Sequence, residues 1–299
     1  MQLPTADTVD DVVRCLADHE YLADEGLATA VLLAARLERP LFVEGEPGTG
    51  KSELARVLSR WTGGELIRLQ CHEGIDVAQA AYEWDYTRQL LHVRVGEAAG
   101  FGAEQIEDSL FDERFLVRRP LLRAIEPREG PVPVLLIDEI DRADHEFDAF
   151  LLELLGDWAV TIPELGTVRA ARPPIVIITS NRTRDVHDAL KRRCLYHWIE
   201  HPDREREAAI IRLRVPEATD AVVQAVADAT ERLRGLGLFK PPGVAEAIDW
   251  AAALAVLGRG VDTPAQMASG LRATLGAAVK YHEDVQTVRD HLDEVVGQS

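Results

Sequence analysis

Short apolar runs alternate with amphipathic stretches through the first two-thirds of the chain, the pattern of a parallel sheet covered by helices. Leu41–Val43, Leu66–Leu69, Val134–Ile137, Ile175–Thr179 and Leu195–Ile199 read as strands. Val134–Ile137 and Ile175–Ile178 are uninterrupted aliphatic runs, which predicts central strands buried on both faces. Phe147, Phe150, Leu151, Leu154, Leu155 and Trp158 recur at helical spacing, with Asp144 positioned as the cap. Val160–Ile162 and Thr167–Ala170 flank Pro-Glu-Leu-Gly and read as a hairpin. From Cys71 to Pro120 the rhythm weakens. The alternating apolar positions around Leu90–Val95 predict an insertion that is part strand and part helix.

After His201-Pro202 the pattern becomes helical and alanine-rich. Arg204–Arg214, Thr219–Leu236, Gly243–Leu257 and Pro264–Lys280 read as helices, followed by a charged helix to about Val296. Pro216, Gly235, Gly237, Gly258 and Gly260 supply the stops. The expected organisation is an α/β core over 1–201, with an insertion at about 71–120, and an all-helical domain over 202–299.

Gly45-Glu46-Pro47-Gly48-Thr49-Gly50-Lys51-Ser52 matches the glycine-rich phosphate-binding pattern in full. It lies between the run Leu41–Val43 and the helical spacing of Leu54, Ala55, Val57 and Leu58, the strand–loop–helix setting the pattern requires. The glycines let backbone N–H groups turn toward phosphate oxygens, and the helix start adds about half a positive charge. Lys51 is placed for the β- and γ-phosphates and the Ser52 hydroxyl for Mg²⁺. The chain is therefore expected to bind a nucleoside triphosphate with Mg²⁺. The fold class expected is a P-loop parallel sheet with helices on both faces.

Val134–Ile137 ends in Asp138-Glu139. Strands of open α/β sheets present their carboxyl ends to the ligand crevice, so Asp138 is the candidate Mg²⁺ carboxylate and Glu139 the candidate general base toward water. Ile175–Thr179 leads to Ser180-Asn181-Arg182, and the Asn181 amide is suited to the γ-phosphate or the lytic water; a turn-forming Asn explains the position as well. Lys191-Arg192-Arg193 precedes the strand at Leu195. A guanidinium there can enter a neighbouring active site, or the cluster is a helix end favoured by the helix dipole.

Composition narrows the possibilities. A net charge of −18 argues against a basic nucleic-acid face and toward protein partners. No apolar run approaches a membrane span, and Met1–Asp11 lacks a basic or apolar leader pattern. Cys15, Cys71 and Cys194 lack metal-type spacing, so a reducing cytoplasm is expected.

The phosphate loop, the Asp138-Glu139 strand end, the Asn181 strand end and the basic cluster, in that order before a helical region, resemble the AAA+ ATPases. Asp138–Ala143, the hairpin at Val160–Ala170 and Thr179–Arg182 are similar to the MoxR-type branch. Arg68–Asp76, Tyr82–Tyr86 and Ala189–His197 resemble CoxD-like proteins, which are associated with carbon monoxide dehydrogenase maturation. The resemblance implies a homo-oligomer, a hexameric ring, acting on a client protein that is a metalloenzyme such as a molybdenum hydroxylase. It also implies a partner with a von Willebrand A-type domain. It gives ATP as the nucleotide and assigns Glu139 as catalytic base, Asn181 as γ-phosphate sensor, Arg193 as the trans-acting arginine and Arg192 as its alternate. Arg142 either faces a subunit interface or pairs locally with Asp138 or Glu139. The family's second-sensor arginine falls at Ala245, with Lys240 and Arg259 nearby. Two other activities share the loop: phosphoryl transfer to a small acceptor, and a nucleic-acid motor.

Overall fold

The computed structural model describes residues 3, 4, 6–257 and 263–297, so Gly258, Arg259 and Gly260 lie outside it. The chain divides into two compact units. One comprises Met1–Cys15, Glu25–Glu44 and Ser52–His197; the other comprises Leu16–Asp24, Gly45–Lys51 and Trp198–Ser299.

Among the described residues nine strands occur in chain order: β1 (Leu41–Gly45), β2 (Leu66–Gln70), β3 (Tyr82–Trp84), β4 (Leu116–Arg118), β5 (Val134–Asp138), β6 (Ala159–Ile162), β7 (Gly166–Arg169), β8 (Ile175–Ser180) and β9 (Leu195–Ile199). Five form one sheet in the order β2-β5-β8-β1-β9. β2 pairs with β5, β5 with β8 and β8 with β1, all in parallel. Every residue of β1, β5 and β8 is buried, as their aliphatic composition requires of strands covered on both faces. The register brings the strand ends level: Gln70 lies opposite Asp138, and Glu44 opposite Ser180.

The core of this unit gathers Phe42, Leu135, Ile137, Leu151, Leu154 and Ile178. The helix His145–Asp157 delivers its apolar stripe there, and Asp144 caps it by accepting from the Phe147 N–H. β6 and β7 form the expected hairpin. The insertion is more helical than its alternation suggests, because Leu90–Val95 lies within the helix Tyr86–Ala98, started by Asp85. Its strand content is the short antiparallel pair β3–β4.

The second unit is built on the helices Arg204–Arg214, Asp220–Gly235, Val244–Leu257 and Pro264–Ala273. Trp250, Leu254, Val223, Val226 and Ile211 fill its core. The expected helix Pro264–Lys280 is interrupted at Thr274, whose hydroxyl bonds back to the Gly270 carbonyl at 2.8 Å and accepts from Trp250 Nε1 at 2.9 Å. A Ser or Thr that bonds back in this way bends a helix.

Candidate nucleotide site

Glu46–Gly50 forms a tight loop between the last residue of β1 and the first of the helix Lys51–Thr62. Gly48 and Gly50 have φ of +77° and +89°, the left-handed region that glycine enters without penalty. The Gly48 carbonyl accepts from the Val244 N–H at 2.9 Å, and a Cβ on Gly48 would stand 3.0 Å from Gly243 Cα. The buried Lys51 ammonium turns into the loop, donating to the Gly45 carbonyl at 2.8 Å and the Glu46 carbonyl at 2.7 Å. Thr49 closes the loop by donating to the Glu46 carbonyl at 2.9 Å. The helix Lys51–Thr62 begins here, so the loop combines upturned backbone, an ammonium and a helix start, the attributes of an anion cradle.

The chain leaves the sheet unit at Glu44 and re-enters it at Ser52. The Glu44 carboxylate is buried and satisfied by Ser180 Oγ at 3.3 Å, Lys191 Nζ at 3.1 Å and Tyr196 OH at 2.9 Å. Burial and the adjacent carboxylate push the Tyr196 phenol up to about 12. Ser52 Oγ donates to Asp138 Oδ1 at 2.6 Å. The same oxygen accepts from Thr179 Oγ1 at 2.7 Å. An alcohol and a carboxylate at this separation are hard oxygen donors, which suit Mg²⁺; the residues present fit that ion.

Glu139 follows at φ 55°, ψ 52°, a left-handed conformation rare for a residue with a Cβ. Its N–H donates to Thr179 Oγ1 at 2.9 Å, and its carboxylate accepts from Gln70 Nε2 at 3.0 Å and Arg142 Nη1 at 3.1 Å. Of the two alternatives for Arg142, the geometry shows the local ion pair with Glu139. At the end of β8, Arg182 is also left-handed, with φ 56°. Asp141, itself buried, accepts from the N–H groups of Asn181 at 3.2 Å and Thr183 at 2.9 Å and from the Thr183 hydroxyl at 2.7 Å. Those bonds fix the backbone of Asn181 and leave its half-exposed amide available. Asp148, fully buried, braces the following loop through Arg184 at 2.9 and 3.1 Å and the His187 N–H at 3.1 Å. The pair with Asp148 raises the Arg184 pKa.

The basic cluster ends the helix Asp188–Arg193. Arg39 caps that end, donating to the carbonyls of Arg192 at 2.6 Å and Arg193 at 3.0 Å. Lys191 is committed to Glu44. The Arg193 guanidinium lies against Gly156, where a Cβ would be 1.8 Å from Nη1, and donates to the Leu152 carbonyl. Arg192 points its side chain to solvent.

In the helical unit, Ala245 is exposed at the start of Val244–Leu257. The next residue, Glu246, accepts from the Gly243 N–H at 3.0 Å, so the helix start that meets Gly48 carries an anion. Lys240 Nζ instead sits 5.7 Å from the Tyr281 ring. Sequence reasoning missed Thr179, Asp141, and the pairing of Arg68 and Gln70 with the two carboxylates. A pair of polar residues two apart on one strand, level with Asp138, is the signal that could have found the last two.

Residues 40–194 match the AAA domain of the dynein-related subfamily, over half the chain. The chain belongs to this family. It is 30% identical over 141 residues to the ATP-dependent Clp protease ATP-binding subunit ClpL of Lactococcus lactis, covering 47% of this chain and 16% of that one. It is 30% identical over 172 residues to the uncharacterized protein YehL of Escherichia coli, covering 54% of this chain and 42% of that one. It therefore spans less than half the length of either relative. Two mutant forms of Thermotoga maritima RuvB superpose on 97% and 98% of the AAA chain at TM-scores of 0.47 and 0.49, with 13% identity. They cover 73% and 75% of those chains. Among the described residues, no helix is long and apolar enough to cross a membrane.

Proposed function

We propose that this AAA protein hydrolyses ATP and uses the energy to remodel a client protein, in the manner of the MoxR-type branch. The observation that carries the reading is the joint at Asp138: one oxygen receives Ser52 and Thr179, and Glu139 is held beside it by Gln70 and Arg142. A phosphotransferase needs the loop and Asp138, but has no use for a second, solvent-reaching carboxylate fixed at the strand end. ClpL is by name an ATP-binding subunit, which supports the choice of nucleotide.

In this reading Gly45–Lys51 binds the triphosphate, with Lys51 neutralising β/γ charge. Ser52 and Asp138 hold Mg²⁺, whose chemistry is to offset the charge that builds on the phosphate oxygens. Glu139 takes a proton from the attacking water. Asn181 presents its amide to the γ-phosphate, and an arginine from a neighbouring subunit, Arg192 or Arg193, completes the site. The sheet core over 1–201 then binds nucleotide and the helices over 202–299 act as its lid, within a hexameric ring in the cytoplasm. The client is a metalloenzyme, a molybdenum hydroxylase of the carbon monoxide dehydrogenase type, approached with a von Willebrand A-type partner. Adding the immature hydroxylase to the purified protein should raise phosphate release. Equal release with and without it would remove the maturation role and leave the ATPase reading standing.

A further inference from the structure

Asp138 is saturated from two sides. Oδ1 accepts Ser52 and Thr179 at 2.6 and 2.7 Å; Oδ2 accepts Nε and Nη2 of Arg68 at 3.0 and 2.6 Å. A carboxylate offers about four acceptor positions, and all are used. The two partners on Oδ2 come from a single guanidinium on β2, an edge strand of the sheet. Arg68 is 46% exposed while the Asp138 carboxylate is 3% exposed, so only the arginine can swing into water. Arg68 also donates through Nη2 to Gln70 Oε1, and Gln70 Nε2 donates to Glu139 Oε2 at 3.0 Å. Residues two apart on a strand share a face, so Arg68 and Gln70 form an unbroken bridge from one carboxylate to the other.

We propose that Arg68 is a positioning residue that holds Asp138 against a divalent cation, and that its release is passed through Gln70 to Glu139. This rests on the nucleotide reading given above. A cation approaching Oδ2 competes with a guanidinium of like sign for the same lone pairs. Displaced, Arg68 no longer donates to Gln70 Oε1, and the amide is free to turn and loosen its hold on Glu139. The base is thereby restrained until Asp138 is engaged, which limits hydrolysis to the metal–nucleotide complex. An Ala or Lys at position 68 loses the bidentate contact with Oδ2 and the contact with Gln70 together.

Mn²⁺ binding to the ADP-loaded protein, read by electron paramagnetic resonance, tests the first half. Arg68→Ala should bind Mn²⁺ about tenfold more tightly than wild type, the scale of one lost charge-assisted competitor. Arg68→Lys, which keeps a charge but not the fork, should fall between them. Equal or weaker Mn²⁺ binding in Arg68→Ala overturns the proposal. For the second half, turnover is compared among Arg68→Ala, Gln70→Leu and the double variant. Non-additive effects support the relay, and additive effects overturn it. If wild-type protein shows no ADP binding by fluorescence titration, the nucleotide reading falls and this proposal with it. If ADP binds but the Mn²⁺ affinities match, only the role of Arg68 is lost.

Discussion

Ser52 Oγ donates to Asp138 Oδ1 at 2.6 Å, joining the first turn after the phosphate loop to the end of the interior strand β5. Asp138 is 2% exposed and organises three side chains from three elements: Ser52, Thr179 and Arg68. Asp138→Ala should therefore destabilise the protein, by about 2–4 kcal/mol, because two hydroxyls and a guanidinium lose their acceptor. Asp138→Asn keeps the shape and should lose less. Urea unfolding of both variants measures this; a loss under about 0.5 kcal/mol in Asp138→Ala would be the range of an inert surface site.

Glu139 has a different relation to stability. Its left-handed backbone is a standing strain that a glycine would relieve. Glu139→Gly should raise stability by about 0.5–1 kcal/mol while removing turnover. Thermal unfolding paired with a phosphate assay checks both. A fall in stability would show that the contacts to Gln70 and Arg142 outweigh the strain.

The two arginines should separate. Arg193→Ala gives up the contact with the Leu152 carbonyl and should lose about 0.5–1.5 kcal/mol, whereas Arg192→Ala should be neutral. Since the Arg193 side chain is engaged on the helix His145–Asp157 of its own chain, Arg192 is the better placed to reach a neighbour. Mixing Arg192→Ala subunits with Glu139→Gln subunits should restore part of the turnover each lacks alone. No return of activity in verified mixed rings would count against a trans role for Arg192.

The sequence displayed the sheet because a strand buried on both faces must be apolar throughout, as Val134–Ile137 and Ile175–Ile178 are. The phosphate loop and Asp138-Glu139 were visible for the same local reason: their chemistry is set by residues adjacent in the chain. What stayed hidden depends on pairing across strands. Arg68 and Gln70 look like the solvated face of an edge strand until the register sets Gln70 opposite Asp138. Thr179 looks like any β-branched strand residue until its hydroxyl is seen between Asp138 and the Glu139 N–H. At Thr274 the back-bond to Gly270 bends the helix, and the same hydroxyl accepts from Trp250, twenty-four positions away, a partner that local spacing does not show.

His201 gives the helical unit a pH dependence. Burial, then the nearby charges of Arg234 and Lys51, lower its pKa from 6.5 to about 4, and its Nδ1 has no hydrogen-bond partner among the described residues. Between those values the unfolded chain binds a proton that the folded one refuses. The contribution of His201 is therefore present above pH 6.5 and is lost as pH falls toward 4. Urea midpoints followed from pH 7 to pH 4 should fall more steeply for wild type than for His201→Gln. Parallel curves would mean that the imidazole titrates normally in the folded state.

The central claim is that the loop and Glu139 together make a hydrolytic site. Phosphate release from ATP and Mg²⁺, with no added acceptor, tests it most directly when wild type and Glu139→Gln are compared at equal nucleotide occupancy. The account predicts steady release by wild type and none by Glu139→Gln, with nucleotide binding retained. Release that requires a small-molecule acceptor, or that continues undiminished in Glu139→Gln, would contradict it.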